Sequence, residues 1–438
     1  MRRVLLRHAD VITLEAETHV LLDADIAIED GLIVAVGVAP AGFEAGETVD
    51  LGRRLVLPGF FNAHTHSATT LLRGRVRESA VERWISDPAW LGNYAPTPDD
   101  VYWGASLAAV EMIRSGTVGF ADHYVHMDRV AEMATESGLR ANLAWCTFGS
   151  DEGEIGTDLP GIAAFTERWQ DAGEGRIHTM LGPYSPGLCT PQFLARSAAV
   201  AARLGVGIHI HVADVQQHVD ESLARYDLTP VQLLDRNGVL DVQVLAVHAA
   251  HLSEADCEIL ASKGTTVVHC PTVEMRLATG ATPVAALRRH GVRLALGTGS
   301  PAWSETLSML QEARLVALWQ RHAERDPQAL PADLALRMIT QHGAAALGFP
   351  MSGEIAPRRN ADLIVLDVAP SRSYLRSDPS NGVLFGCEGG DVRDVMVAGR
   401  WLMRKRELLT LDEERVAFEA GSRAIRLSGA QGGAGDAA

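Results

Sequence analysis

Residues 55–66 read LVLPGFFNAHTH: an apolar run from Leu55 to Phe61 that passes through Asn62-Ala63 into His64-Thr65-His66. A short unbroken apolar run suits a strand covered on both faces, as in a parallel sheet flanked by helices. Alternate side chains of a strand share a face, so His64 and His66 can both point inward at the strand's end. Seven further runs of this kind follow: Thr117–Tyr124, Arg140–Phe148, Arg176–Ser185, Gly207–Asp214, Val242–Ala249, Thr265–Cys270 and Val292–Gly299. Helical patterns fill the gaps. Several open on Thr-Pro, at Thr97-Pro98, Thr190-Pro191, Thr229-Pro230 and Thr282-Pro283, where the threonine caps and the proline begins the helix. Several close at a glycine: Gly116, Gly138, Gly205, Gly264 and Gly291. Eight β-then-α units predict an α/β fold, a closed (β/α)8 barrel of TIM type. The alternative is an open doubly wound sheet, but no G-x-G-x-x-G or G-x-x-x-x-G-K-[ST] sequence supports a nucleotide-binding version.

Outside this middle section the pattern changes. Asp30-Gly31 separates the apolar runs Ile26–Ile28 and Leu32–Val36, a hairpin signal. Near the other end, Ala361–Asp367 and Val392–Val397 are strand-like, and Ala398-Gly399-Arg400 turns into Trp401-Leu402-Met403. Both chain ends are therefore expected to be β-rich. The tail after Ser428 is low in complexity and reads as disordered.

Composition limits the function. The chain has 438 residues, 47% of them hydrophobic, enough for a large core. Lys+Arg total 39 against Asp+Glu 55, a formal charge of −16, which argues against nucleic-acid or anionic-membrane partners. No apolar run reaches the ~20 residues of a membrane helix. The start, Met1-Arg2-Arg3, leads into no long apolar segment, so a cytoplasmic protein is expected. The cysteines Cys146, Cys189, Cys257, Cys270 and Cys387 form no C-x-x-C pair, which disfavours a disulfide framework or a cysteine-based metal site.

The strand ends carry the chemistry. They hold His64 and His66, Asp122-His123-Tyr124, Tyr184, then His209, His211 and Asp214, then His248 and His269. In a barrel these ends meet at one mouth. His123 and His269 stand alone and read first as ordinary hydrogen-bonded histidines. H-x-H on the first strand followed by His211 and His248 on later ones reads as a metal site. Neutral imidazoles with an open coordination position suit a catalytic Zn²⁺, which brings the pKa of its water to about 7.

The stretch Leu57–His66 resembles the metal-binding opening of the amidohydrolase superfamily. Thr70-Leu71-Leu72-Arg73-Gly74 and Glu111–Thr117 narrow the likeness to the branch of S-adenosylhomocysteine and methylthioadenosine deaminases and triazine hydrolases, the latter often termed chlorohydrolases. Ile208–Asp214, Val268-His269-Cys270-Pro271, Leu296-Gly297-Thr298 and Gly343–Gly348 continue it, over about residues 1–410. The resemblance implies a (β/α)8 barrel over 57–354 and a small β-sandwich built from 1–56 and 355–420; residues 421–438 are expected to form a flexible tail. It implies one divalent ion per chain, Zn²⁺ ahead of Fe²⁺, on His64, His66 and His211. It makes His248 the contact to the hydrolytic water and places Asp214 where the family uses a proton-shuttling glutamate. Trp84 matches a tryptophan suited to stacking on a flat ring. Tyr184, His269, Glu274 and Glu305 are the remaining candidates for substrate contact, together with Arg73 and Arg276.

Three departures bear on mechanism. Where the family carries a metal-binding aspartate on strand eight, this chain has Gly299. Downstream the pattern becomes Pro301-Ala302-Trp303-Ser304-Glu305, and Glu274 replaces an asparagine. The expected function is a metal-dependent hydrolase removing an amino group, or an equivalent leaving group such as chloride, from an N-heterocyclic small molecule through metal-bound hydroxide. The alternatives are a metal-assisted non-hydrolytic enzyme (elimination, cyclisation or decarboxylation) and a catalytically impaired binding protein. Family analogy adds a homodimer.

Overall fold

The computed structural model describes residues 2–15, 20–74, 96–150, 153–156, 158–368 and 378–429. Five strands precede the barrel: β1 (Arg3–Ile12), β2 (Val20–Glu29), β3 (Leu32–Gly37), β4 (Glu47–Asp50) and β5 (Leu55–Pro58). Then come β6 (Phe60–Thr65), β7 (Thr117–Tyr124), β8 (Arg140–Ser150), β9 (Gly153–Gly156), β10 (Ile177–Pro183), β11 (Gly207–Val212), β12 (Val244–His248), β13 (Thr266–His269) and β14 (Arg293–Leu296). The chain ends with β15 (Leu363–Leu366), β16 (Val392–Val397), β17 (Arg400–Arg404) and β18 (Glu407–Leu408).

These strands form two sheets. One runs β14-β13-β12-β11-β10-β8-β7-β6, all parallel, with β9 turning back antiparallel on β8. Its ends meet through a parallel bridge between Thr65 and Gly299. Asn62 Nδ2 donates to Thr298 Oγ1 at 2.8 Å, and Thr298 N donates to Asn62 Oδ1 at 3.1 Å, across the same seam. The result is the (β/α)8 barrel. The other sheet runs β18-β17-β16-β15-β5-β1-β2-β3, with β4 on β1, so both chain ends build it. In hydrogen bonding it is one continuous path with bulges in β1, and it has its own core around Val4, Leu6, Ile26 and Trp401. The β2–β3 hairpin turns at Asp30 (φ 47°) and Gly31 (φ 84°), both left-handed as a two-residue type I′ turn requires.

The run 55–66, expected as a single strand, is two. β5 pairs with β15 and β1 in the outer sheet, and β6 belongs to the barrel. The break is Gly59, where a Cβ would sit 2.2 Å from Val118 Cγ1; only a bare backbone passes there. The N-caps Thr97, Thr190 and Thr229 are as expected. Thr282 is not: that helix is Val284–Arg289, capped at Pro283, and the Thr282 hydroxyl bonds Glu274 and the His248 carbonyl instead.

Residues 421–429 are helical and not a flexible tail. They complete a helix, Glu413–Gly429, whose Val416 and Ala420 are buried. Arg426 pairs with the buried Asp100 of the helix Pro98–Arg114, and Arg423 lies 3.8 Å from the same carboxylate. Apolar burial and two cations on one buried acid anchor this helix; the low-complexity residues from 430 onward lie outside the described residues. No helix among the described residues is long and apolar enough to cross a membrane.

Candidate metal centre

Five barrel strands bring histidines to one mouth. β6 delivers His64 on the strand and His66 just beyond it; β7 carries His123, β11 His209 and His211, β12 His248, and β13 His269. Ligand atoms of His64, His211 and His248 lie within 4.8 Å of one another. The ring of His66 stands beside them, with centroids 4.7 Å from His64 and 5.5 Å from His211. The convergent trio thus contains His248, where the sequence pointed to His66 as a ligand and His248 as a water contact.

Each of these four rings has its Nδ1 occupied. His66 Nδ1 is 2.5 Å from the His123 carbonyl, and His211 Nδ1 is 3.1 Å from the Tyr184 carbonyl. His64 Nδ1 is 2.8 Å from His209 Nε2, one layer deeper in the barrel. His248 Nδ1 is 3.3 Å from Glu274 Oε1. Nε2 of His64 and of His211 is buried with no hydrogen-bond partner. A buried polar atom left bare costs about 1–3 kcal/mol, so two facing one point call for a missing partner. Fixing Nδ1 with an acceptor leaves the Nε2 lone pair free to ligate.

Electrostatics favour the neutral imidazole. Burial, then neighbouring histidines, hold His64 and His211 well below the usual 6.5. Burial lowers His66 to about 4. Neutral nitrogen donors of this kind suit a borderline-soft divalent ion.

Asp214 opens onto the same cleft. Burial alone would raise its pKa, but His218, bonded to Oδ1 at 2.7 Å, brings it to about 2. Burial opposes a proton on His218, yet the Asp214 carboxylate raises its pKa. Val215, Val273, Leu277 and Trp303 give the cleft apolar walls. Position 299 offers no side chain. Its backbone is left-handed (φ 61°), its N–H donates to the His64 carbonyl at 3.1 Å, and a Cβ would meet Val273 Cγ2 at 2.8 Å.

The other candidates are placed as follows. Tyr184 leans on His211, with centroids 4.7 Å apart, and stacks on Phe148. His269 and Glu274 are each about 1% exposed and lie behind His248, away from the cleft surface. Glu305 turns to the rim, where Oε1 accepts from Gly74 N at 3.0 Å and lies 3.6 Å from Arg276. Trp84 lies outside the described residues. Sequence reasoning gave no role to three supports, of which only His209 was named among the strand-end residues. His218 was visible as an i+4 partner of Asp214, and His209 as the inner histidine of its strand. Glu312, whose pKa burial raises to about 7, bonds Thr272 N at 3.1 Å and gave no sequence signal.

A closed parallel barrel with a histidine cup at the C-terminal ends of its strands is the architecture of a metal-dependent barrel enzyme. Residues 55–402 match the amidohydrolase family, and the chain belongs to it. It is 39% identical over 430 residues to a 5-methylthioadenosine/S-adenosylhomocysteine deaminase of Pelotomaculum thermopropionicum, covering 98% of this chain and 99% of the relative. Among solved structures, an adenosine deaminase from Xanthomonas campestris with bound zinc superposes with a TM-score of 0.90 at 30% identity, covering 97% and 98% of the two chains. A triazine hydrolase variant superposes with a TM-score of 0.87 at 25% identity, covering 97% and 100%.

Proposed function

We propose that this protein is a zinc-dependent hydrolase that removes an exocyclic amino group, or an equivalent leaving group, from a small N-heterocycle. The observation that carries this reading is the cup of four imidazoles, each held at Nδ1, with two buried Nε2 atoms bare. His64, His66, His211 and His248 would hold the ion. When bound, a divalent ion supplies the positive charge that makes a neighbouring water acidic near neutral pH. The named relatives, two deaminases and a triazine hydrolase, support a purine-like or triazine-like ring as substrate.

The chain's own residues do the rest. Asp214 is ionised at neutral pH and makes no bond at Oδ2 among the described residues, so it can accept a proton there. His218 holds Asp214 in place. Val273, Leu277 and Trp303 exclude bulk water from the ring's face. The same reading takes the enzyme to be a cytoplasmic homodimer.

Gly299 favours a second reading. With no carboxylate on strand eight, the site suits metal-assisted elimination or cyclisation. One experiment separates the two. Zinc-loaded protein is incubated in ¹⁸O-water with 5-methylthioadenosine, S-adenosylhomocysteine, adenosine, and amino- and chloro-triazines, with sedimentation velocity run on the same sample. Ring product carrying ¹⁸O, with ammonia or chloride released, is expected. Turnover without ¹⁸O would select the second reading, and failure to retain zinc would overturn both.

A further inference from the structure

His248 differs from the other three rings of the cup in what holds it. Carbonyl oxygens face Nδ1 of His66 and His211, and an imidazole faces that of His64; only His248 faces a carboxylate. That carboxylate, Glu274, is itself built in. Oε1 accepts from Cys270 N at 3.1 Å and Oε2 from Thr282 N at 3.0 Å. The Thr282 hydroxyl lies 3.1 and 3.0 Å from the two oxygens, and it also approaches the His248 carbonyl at 2.6 Å. His269 Nδ1 stands 3.0 Å from Oε2. With a backbone N–H on each oxygen, an amide at this position must set its NH₂ against one of them. The pocket around residue 274 therefore accepts a carboxylate and resists glutamine.

We infer that Glu274 is a positioning residue: it fixes His248 as the Nδ1–H tautomer with Nε2 turned into the cup, and it supplies behind that ring the negative charge that strand eight lacks at Gly299. The two positions belong to one rearrangement. Val273, the neighbour of Glu274, fills the space a side chain at 299 would enter, so the geometry that seats the glutamate also excludes a residue there. A carboxylate behind a ligating histidine raises the basicity of that ring and fixes its orientation, and losing such a partner typically costs ~10–100-fold in metal affinity. Thr282, drawn away from its helix cap, is the clamp on this carboxylate.

The inference rests on the zinc reading, but its test does not depend on turnover. The full-length chain is labelled with ¹⁵N-histidine, and the His248 tautomer is read by NMR in the metal-free protein. Zn²⁺ affinity is then measured by chelator competition for wild type, Glu274→Gln and Glu274→Leu. Wild type should show His248 as Nδ1–H. Glu274→Gln removes the charge and sets an NH₂ against one backbone N–H, and should bind Zn²⁺ at least ~10-fold more weakly while the fold, checked by circular dichroism, is kept. Glu274→Leu should bind more weakly still, with His248 leaving the Nδ1–H form. If the leucine variant does not fold, the glutamine variant decides alone. Unchanged Zn²⁺ affinity in Glu274→Gln, or wild-type His248 protonated on Nε2, overturns the inference. A wild-type chain that binds no zinc overturns the proposed function, while the tautomer still tests Glu274.

Discussion

The two ends of the barrel bury polar groups in opposite ways. At the base, Arg140 and Asp362 join barrel to outer sheet and are 6% and 0% exposed. Arg140 donates from Nε at 2.7 Å and from Nη2 at 3.0 Å, and Asp362 also accepts from Ser352 Oγ at 2.5 Å and Ala398 N at 2.8 Å. Both carboxylate oxygens are engaged. At the mouth, Nε2 of His64 and of His211 is buried bare. Complete pairing suits a group that holds the structure; two bare imidazole nitrogens converging on one point suit a group that takes a ligand.

The contrast can be broken at either end. The largest effect is expected at the mouth: His211→Ala should abolish zinc retention and lower turnover by more than the ~10²-fold ascribed to outer partners. The metal-free chain should also lose some stability, since the substitution removes the Nδ1 bond to the Tyr184 carbonyl and leaves a cavity, so zinc content of the folded variant is the deciding readout. Elemental analysis and calorimetry check this, and a stably zinc-loaded variant would show that the cup is not the site. At the base, Arg140→Ala strands a buried carboxylate and should cost about 3–5 kcal/mol in urea denaturation, with zinc affinity of the folded chain unaltered. A loss under about 1 kcal/mol would mean that the joint is peripheral.

A third, smaller effect sharpens the comparison, because Asp214 lies at the mouth yet is paired. The bonded His218 holds the Asp214 carboxyl at about 2 against the burial that would raise it, below the ordinary carboxylate range. Its stabilisation is therefore present above pH ~4 and lost as pH falls through about 2. His218 is raised, so its share is present below 6.5 and lost as pH rises through its folded value. The interaction, counted once, amounts to roughly 2 kcal/mol. Asp214→Asn should remove the acid slope between pH 4 and 2 in metal-free protein and lower turnover by ~10²-fold. Parallel pH–stability curves for the two chains would show Asp214 to be energetically idle.

Much of the architecture was legible because it follows from local pattern. Thr117–Tyr124 is a strand over the same residues in sequence and structure, and Asp30-Gly31 turns as its residue types require. The H-x-H stretch was legible for the same reason, since strand alternation is local. What escaped depends on contacts far apart in sequence. Nothing near Gly59 announces Val118, and nothing near Thr282 announces that Glu274 outcompetes its own helix for the hydroxyl. Glu274 read as a pocket wall because its position follows a strand end; the fold turns it inward behind His248.

The break at Gly59 also orders events during synthesis. β5 must wait for β15, because Leu57 pairs with Ile364 and Arg54 reaches Asp367, 313 positions later. At ~5–20 residues per second, an emerging chain would hold β5 as an open edge for roughly 15–60 s while the whole barrel is made. Closing a loop of that length costs little extra free energy, since the penalty grows only logarithmically, but the exposed edge is a template for wrong pairing throughout. The outer sheet is thus finished only after the barrel strands, and a ribosome that stops before Leu363 releases a barrel with an unsealed strand.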